Sequence, residues 1–254
     1  TQNTLIGASA GEALTTGGQN TAIGYRALYT EDTGAGATAI GYKALSTQNA
    51  DGSYYNTAVG HNAAQALTTG GQNTVMGAEA GYSLTTGGNN IAIGYKALYT
   101  EDAHGNNVAI GREALEVQNA GADAYNIAIG YRAGHAVSTG THNVLLGGLA
   151  GDALTTGSAN IAIGYEALST EDGHSQNVAI GYQALKMLDA GAAALNVAVG
   201  HQAGTAMSTG VNNTIVGGLA GDALTTGESN VAIGKEALST EDTGHDNTAV
   251  GFQA

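Results

Sequence analysis

The chain has 254 residues, including 41 Gly, and it contains no Pro, Cys or Trp and a single Phe. So few large side chains cannot fill the core of an ordinary globular domain, whereas the thin core of a repeat protein needs only small ones. A net charge of −14, with 7 Lys and Arg in total, disfavours binding to nucleic acid or to an anionic membrane. The chain has no apolar run of about 18 residues, so we expect no membrane insertion.

One sequence unit, N-x-[A/large]-[I/V/L/M]-G-x-x-A, recurs fifteen times, and Ala37 is the one position where its Asn is replaced. The first five units start at positions 3, 20, 37, 56 and 73, so the spacing is 17, 17, 19 and 17, and the super-repeat has a period of 70. The two added positions always follow Leu45, Leu115 or Leu185. Every unit has its Gly, namely Gly7, Gly24, Gly41, Gly60, Gly77, Gly94, Gly111, Gly130, Gly147, Gly164, Gly181, Gly200, Gly217, Gly234 and Gly251.

Each unit predicts one coil of an all-β, parallel β-solenoid, in which the coil length is 17 or 19 according to the spacing of the units. The alternation in 20–24 predicts a short strand, and the Gly at its end indicates positive φ or a close backbone approach. We expect a second short strand over 25–28, followed by a polar turn. Stacked Asn side chains at one corner should form a ladder of hydrogen bonds along the axis, as at Asn20, Asn90, Asn160 and Asn230.

In every fourth copy of the unit, the third position and the residue after Gly differ in side-chain size from the other copies. The third position is then large, as in Leu5, Val75, Leu145 and Ile215, and the residue after Gly is small, as in Ala8, Ala78, Gly148 and Gly218. Close-packed interiors penalise changes in total volume. We therefore expect these two positions to share one space, within one chain or between chains.

The segments N-T-A-I-G-Y-R-A-L (20–28) and N-I-A-I-G-Y-K-A-L (90–98) resemble repeats of bacteriophage tail fibres. They are also similar to the N-x-x-A-I-G-x-x-A repeats of trimeric autotransporter adhesin heads, and the resemblance covers essentially the whole chain. It implies a left-handed parallel β-roll, a homotrimer around one axis and a role in surface attachment. The adhesin heads have shorter coils, which favours the phage-fibre version.

Four Thr-Glu-Asp turns, one in each super-repeat, place a pair of carboxylates at equivalent positions. Carboxylates favour hard cations such as calcium, but the Asp-rich spacing of known calcium loops is missing. We interpret these turns, and the seven His of the chain, as solvated loops, and predict no cofactor. The candidates for the metal alternative are Glu31, Asp32, Glu101, Asp102, Glu171, Asp172, Glu241 and Asp242.

A Tyr series follows the repeated Gly, and a series at a constant coil position is typical of packing between coils or subunits. A sugar-binding platform is the alternative. The series comprises Tyr25, Tyr42, Tyr95, Tyr131, Tyr165 and Tyr182.

The regular repetition disfavours an active site, which requires an irregular constellation of side chains, so we predict no enzyme. We expect residues 1–254 to be one solenoid segment of a longer chain, serving as the shaft of a phage tail fibre or similar extracellular appendage. Its expected partners are identical chains, other fibre or virion proteins, and a host receptor or glycan. The alternatives are an adhesin head that itself binds a glycan or protein, and an ice-binding solenoid based on Thr pairs such as Thr15-Thr16.

Overall fold

The structure is a computed structural model that describes residues 2–190 and 194–254. Within these ranges the chain is all-β, with fifteen three-residue strands and no helix. It divides into two compact units, Thr1–Tyr125 and Asn126–Ala254. Each unit is a parallel β-solenoid, as the repeat predicts.

Every strand occupies the second to fourth positions of a sequence unit, directly before the repeated Gly. The strands are β1 Thr4–Ile6, β2 Thr21–Ile23, β3 Thr38–Ile40, β4 Thr57–Val59, β5 Thr74–Met76, β6 Ile91–Ile93, β7 Val108–Ile110, β8 Ile127–Ile129, β9 Val144–Leu146, β10 Ile161–Ile163, β11 Val178–Ile180, β12 Val197–Val199, β13 Thr214–Val216, β14 Val231–Ile233 and β15 Thr248–Val250.

Within each of the two compact units, the strands pair in parallel and in chain order. In the first unit β1 to β7 are joined in sequence, and Thr21 of β2 lies opposite Thr38 of β3. In the second unit β8 to β15 follow the same rule, and Ile161 of β10 lies opposite Val178 of β11. Equivalent residues of successive units therefore stack on each other.

The core of each solenoid is thin and consists mainly of small side chains. The middle residue of β2 to β14 is buried, while its two neighbours in the strand are partly or fully exposed. In the second coil the buried apolar residues are Ala22, Ala27 and Leu28. Alternation at period 2 thus directs one residue per strand inward, and Ala suits the narrow interior.

The prediction of a second strand over 25–28 is wrong, because this segment is a turn. Arg26 and Leu28 both have φ of 51°, in the left-handed region, which is incompatible with a strand. The backbone N–H groups of Arg26 and Leu28 point to opposite neighbouring coils. The Arg26 N–H donates to the Ala8 carbonyl of the preceding coil, and the Leu28 N–H donates to the Ala44 carbonyl of the next coil.

The expectation that the third position and the residue after Gly share one space is also wrong. The side chain of Val75 lies inside the coil, where it is 1% exposed, whereas Tyr25 and Tyr42 point outward and are 42% exposed. The third position and the residue after Gly are three positions apart along the chain, but the corner at the Gly turns their side chains to opposite sides of the coil wall.

The volume exchange instead involves the strand centre and the residue six positions later. A Cβ added to Gly151 would lie 2.8 Å from Cδ2 of Leu145, so a large strand centre occupies that space. Many coils with Ala at the strand centre fill it from the other side, as in the buried pair Ala22 and Leu28. Where both positions are small, as at Ala198 and Gly204, neighbouring coils supply the bulk, since a Cβ at Gly204 would lie 3.0 Å from Leu185 Cδ2.

Candidate functional site

The repeated Gly brings successive coils into close backbone contact. Gly24 has φ of 132°, and a Cβ at this position would lie 2.4 Å from the Gly41 carbonyl oxygen. Gly164 has the same relationship with Gly181, at 2.3 Å. The contact is therefore closed to any side chain, for reasons of both conformation and space.

The Asn side chains form a hydrogen-bonded ladder along each solenoid. The Asn160 N–H donates to Oδ1 of Asn143, and the Asn177 N–H donates to Oδ1 of Asn160, both at 2.9 Å. The Asn160 amide group also donates to the His174 carbonyl at 2.8 Å. Buried polar groups require such partners, so the ladder provides hydrogen bonds for the buried Asn side chains at this corner of the coil.

The acidic turns are not the solvated stripe that we interpreted from the sequence, because three of the four Glu point inward. Glu31, Glu101 and Glu171 are fully buried. Oε1 of Glu31 accepts a hydrogen bond of 2.7 Å from the Gly34 N–H. Adjacent Asp32 is only half-buried. Glu and Asp therefore have separate roles in this turn.

Two of the four turns have a His three residues after the Glu. The His104 N–H donates to Glu101 Oε1 at 3.2 Å, and its Nδ1 lies 3.3 Å from the same oxygen. His174 makes the same two contacts with Glu171. The interpretation of these two His as solvated is wrong, since both rings lie half-buried against the carboxylate.

The Glu171 turn collects the largest group of potential metal ligands among the described residues. One donor atom each of Glu171, Asp172, His174 and Asp189 lies within 4.8 Å of the others. Sequence reasoning missed Asp189, although a signal existed, because the equivalent residues are Asn49 and Asn119. It also placed no weight on the spacing of three between Glu171 and His174.

Burial perturbs these carboxyls in one direction. Desolvation raises the pKa of Glu171 above its ordinary value, and the hydrogen bonds and charge of His174 partly oppose the rise. The pKa of Glu101 is raised for the same reason, with opposition from His104. An inward carboxyl with no charged partner is costly, so the position of the His lowers that cost.

The Asp of each acidic turn contributes its backbone carbonyl to the preceding coil. The Asp32 oxygen accepts hydrogen bonds from the N–H of Thr15, Thr16 and Gly17 and from the Thr15 hydroxyl. The hydroxyls of Thr85, Thr155 and Thr225 bind equivalent carbonyls. This bonding disfavours the ice-binding alternative, since at least one hydroxyl of each of these Thr pairs is bonded to the protein and not to water.

Aromatic rings stack along the outer surface of the coils. The ring centroids of Tyr25 and Tyr42 are 5.4 Å apart, and His61 continues the stack at 5.0 Å. Tyr165 and Tyr182, followed by His201, repeat this arrangement at 5.8 and 5.2 Å. The predicted packing between coils is therefore confirmed for these two Tyr pairs, whose rings also remain partly exposed.

An apolar row runs beside the rings, formed by the last residue of each strand. In the second unit Ile129 and Ile233 are 41% and 40% exposed. In the first unit Met76 is 41% exposed. Exposed contiguous apolar surface is typical of sites of protein association.

Each of the two compact units thus belongs to the structural class of parallel β-solenoids built from stacked sequence repeats. Comparison with protein-family models, curated proteins and solved structures finds no match. The described residues include no helix long and apolar enough to cross a membrane. Residues 2–190 and 194–254 also enclose no pocket.

Proposed function

We propose that this chain is the structural shaft of an extracellular attachment appendage such as a phage tail fibre. In this proposal the shorter and longer coils are all left-handed, and identical chains pack side by side as a homotrimer. Other fibre proteins flank the shaft, and a host receptor or glycan is contacted by the assembly.

The outward apolar row supports the proposal most directly. Each solenoid presents Ile, Val, Leu or Met once per coil at the end of the strand, as at Ile129, Ile163 and Ile233. Neighbouring parallel strands are about 4.8 Å apart. A second chain with the same repeat matches this spacing over its whole length, which an unrelated globular surface would not.

The uniform wall of each solenoid supports a mechanical role. The Gly contacts and the Asn ladder recur from coil to coil, and each unit of a solenoid contacts only its neighbours. Such a column resists bending because bending would disturb the close Gly contacts and the hydrogen bonds between neighbouring coils.

Mass in solution tests this proposal. Sedimentation equilibrium of the chain, whose mass is 25.1 kDa, should give a trimer. Ile129→Arg with Ile233→Arg should dissociate the trimer and leave the far-UV circular dichroism spectrum unchanged. Thr156→Arg, at an exposed turn position, is the matched control and should stay trimeric. A stable monomer of the unmodified chain would refute the proposal.

The stacked rings support a second candidate function, that of an adhesin head. Tyr165 is 47% exposed and Tyr182 is 44% exposed, and aromatic faces bind sugars by stacking. A glycan array probed with the unmodified chain and with Tyr165→Ala distinguishes this candidate. Binding that the substitution abolishes would support it, and absence of binding across the array would count against it.

A further inference from the structure

We infer that Glu171, Asp172, His174 and Asp189 form a binding site for a divalent transition-metal ion, with zinc as the ion that best suits them. His174 Nδ1 contacts Glu171 Oε1, and it lies 3.8 Å from Asp189 Oδ1 and 4.0 Å from Asp172 Oδ1. Donors about 2.0–2.2 Å from a zinc ion are roughly 3.4 Å apart in a tetrahedral site. The four donors lie within 4.8 Å of one another, so binding of the ion would require them to move closer to that spacing.

The donor set selects the class of ion. Imidazole nitrogen is a ligand for zinc and neighbouring transition metals, whereas calcium and magnesium prefer oxygen alone. Three carboxylates and one imidazole therefore favour a transition-metal ion over the calcium that the acidic turns alone suggest.

A buried carboxylate oxygen is the independent sign of a missing partner. Glu171 is fully buried, and its Oε2 has no hydrogen-bond partner among the described residues. The equivalent oxygen of Glu31 accepts a hydrogen bond of 3.1 Å from Gln48 Nε2. Leu188 stands where Gln48 stands and offers no donor. An unpaired buried acceptor is costly, and a cation that Glu171 binds through both carboxylate oxygens would remove that cost.

Three replacements coincide in this one turn. Relative to the first super-repeat, His174 replaces Gly34, Leu188 replaces Gln48 and Asp189 replaces Asn49. Two of them add a metal ligand, and the third removes the amide that bonds the Glu in the first super-repeat. Oε2 of Glu101 also has no hydrogen-bond partner among the described residues, although Gln118 is retained there. Their coincidence is explained by a shared ion.

Two of the four ligands are buried and two are exposed, so the ion could both reach the site from solvent and be held firmly in it. The side chains of Glu171 and His174 are 0% and 16% exposed, whereas those of Asp172 and Asp189 are 62% and 56% exposed. The ion would bind at the rim of the coil, held from below by Glu171 and His174 and reached from solvent past the two Asp. Water completes any remaining coordination position.

The equivalent turn at Glu101 is a weaker arrangement and supplies a control. Glu101, Asp102 and His104 lie together, but Asp123 of the next coil is already bound. Its two oxygens accept hydrogen bonds from the Gly105 N–H at 2.8 Å and the Asn106 amide at 2.9 Å. We therefore expect the His174 turn to bind zinc more tightly than the His104 turn.

Isothermal titration of zinc into the chain, with cobalt absorption spectra as a second measurement, tests the site. His174→Gly and Asp189→Asn restore residues found at equivalent positions 34 and 49, so both variants should fold. Even the loss of an outer partner weakens metal binding by roughly 10–100-fold. His174→Gly should accordingly weaken the tightest zinc site by about 100-fold or more and abolish the intense cobalt d–d bands, and Asp189→Asn should weaken zinc binding by about tenfold.

His104→Gly is the matched control and should leave the affinity of the tightest site unchanged. Three outcomes overturn the inference: the unmodified chain takes up no zinc, His174→Gly binds zinc as tightly as the unmodified chain, or calcium binds and zinc does not. In the first of these, His174 and Glu171 form an ion pair only.

Discussion

Leu145 occupies the space next to Gly151, where an added Cβ would lie 2.8 Å from Leu145 Cδ2. The backbone itself accepts a larger residue, because Gly151 has φ of 57° and Leu168, at the equivalent position of the next coil, has φ of 52°. Cδ1 of Leu154 would lie 2.9 Å from the same Cβ, so the Gly is required by the volumes of Leu145 and Leu154 and not by conformation alone.

Exchange of volume between these two positions should restore stability. Leu145→Ala should lower the free energy of unfolding by about 2–5 kcal/mol through the cavity that it leaves. Gly151→Leu should lower it by about 1–3 kcal/mol or more through overpacking. The double variant pairs Ala with Leu as at Ala162 and Leu168 and removes the contact with Leu145, while the contact with Leu154 remains. It should therefore be more stable than the sum of the two losses indicates, though less stable than the unmodified chain. Chemical denaturation of the four proteins measures this coupling, and strictly additive losses would contradict it.

Substitution of the repeated Gly should be far more damaging than that of a Gly one position later. Gly164→Ala places a Cβ 2.3 Å from the Gly181 carbonyl oxygen at φ of 135°, so we expect loss of more than about 3 kcal/mol or failure to fold. Gly218→Ala meets nothing within 4 Å and should change stability by less than about 0.5 kcal/mol. Thermal melts followed by circular dichroism compare them, and similar melting temperatures would exclude the proposed close contact.

Loss of one step in the Asn ladder should destabilise the solenoid without unfolding it. Asn160→Ala removes the acceptor of the Asn177 N–H and the donor to the His174 carbonyl. Each buried group left unpaired costs about 1–3 kcal/mol. Ala37 is a natural interruption of the ladder, so the fold tolerates one. Exposed Asn119→Ala is the control, and hydrogen exchange at the amide of residue 177 should accelerate only in the first variant.

The buried Glu171 should make stability depend on pH. Its folded pKa is raised above the ordinary value of 4.5, so the folded state binds the proton more tightly than the unfolded state. This contribution to stability is fully present below pH 4.5 and is lost as the pH rises through the folded pKa. Glu171→Gln removes the titration.

The difference in unfolding free energy between the unmodified chain and Glu171→Gln should therefore move in favour of the unmodified chain as the pH falls from 7 toward 4.5. Gln48 holds the same place within the coil that follows the Glu31 coil, so the variant should fold. Denaturation in metal-free buffer at several pH values measures this difference. A shift in the opposite direction would mean that His174, and not burial, dominates the environment of Glu171.

The sequence alone predicts the strands, their parallel pairing in chain order and the stacking of equivalent residues. These features follow from exact repetition, because a unit that recurs at a nearly constant spacing buries its apolar position only against the next copy. The alternation in 20–24 indicated a strand, but the burial of Ala22 between two outward residues was decided by the structure. Repetition does not specify the path between strands, and there the prediction of a strand over 25–28 was wrong.

Tertiary structure alone decided which side chains meet across the coil. Positive φ at alternate residues such as Arg26 and Leu28 breaks the period-2 rule, so inward and outward positions beyond the strand could not be read from spacing. The inward turn of Glu171, its contact with His174 and the approach of Asp189 from the next coil follow from that path. Residues fifteen to eighteen positions apart meet there only because one coil returns the chain to the same side of the column.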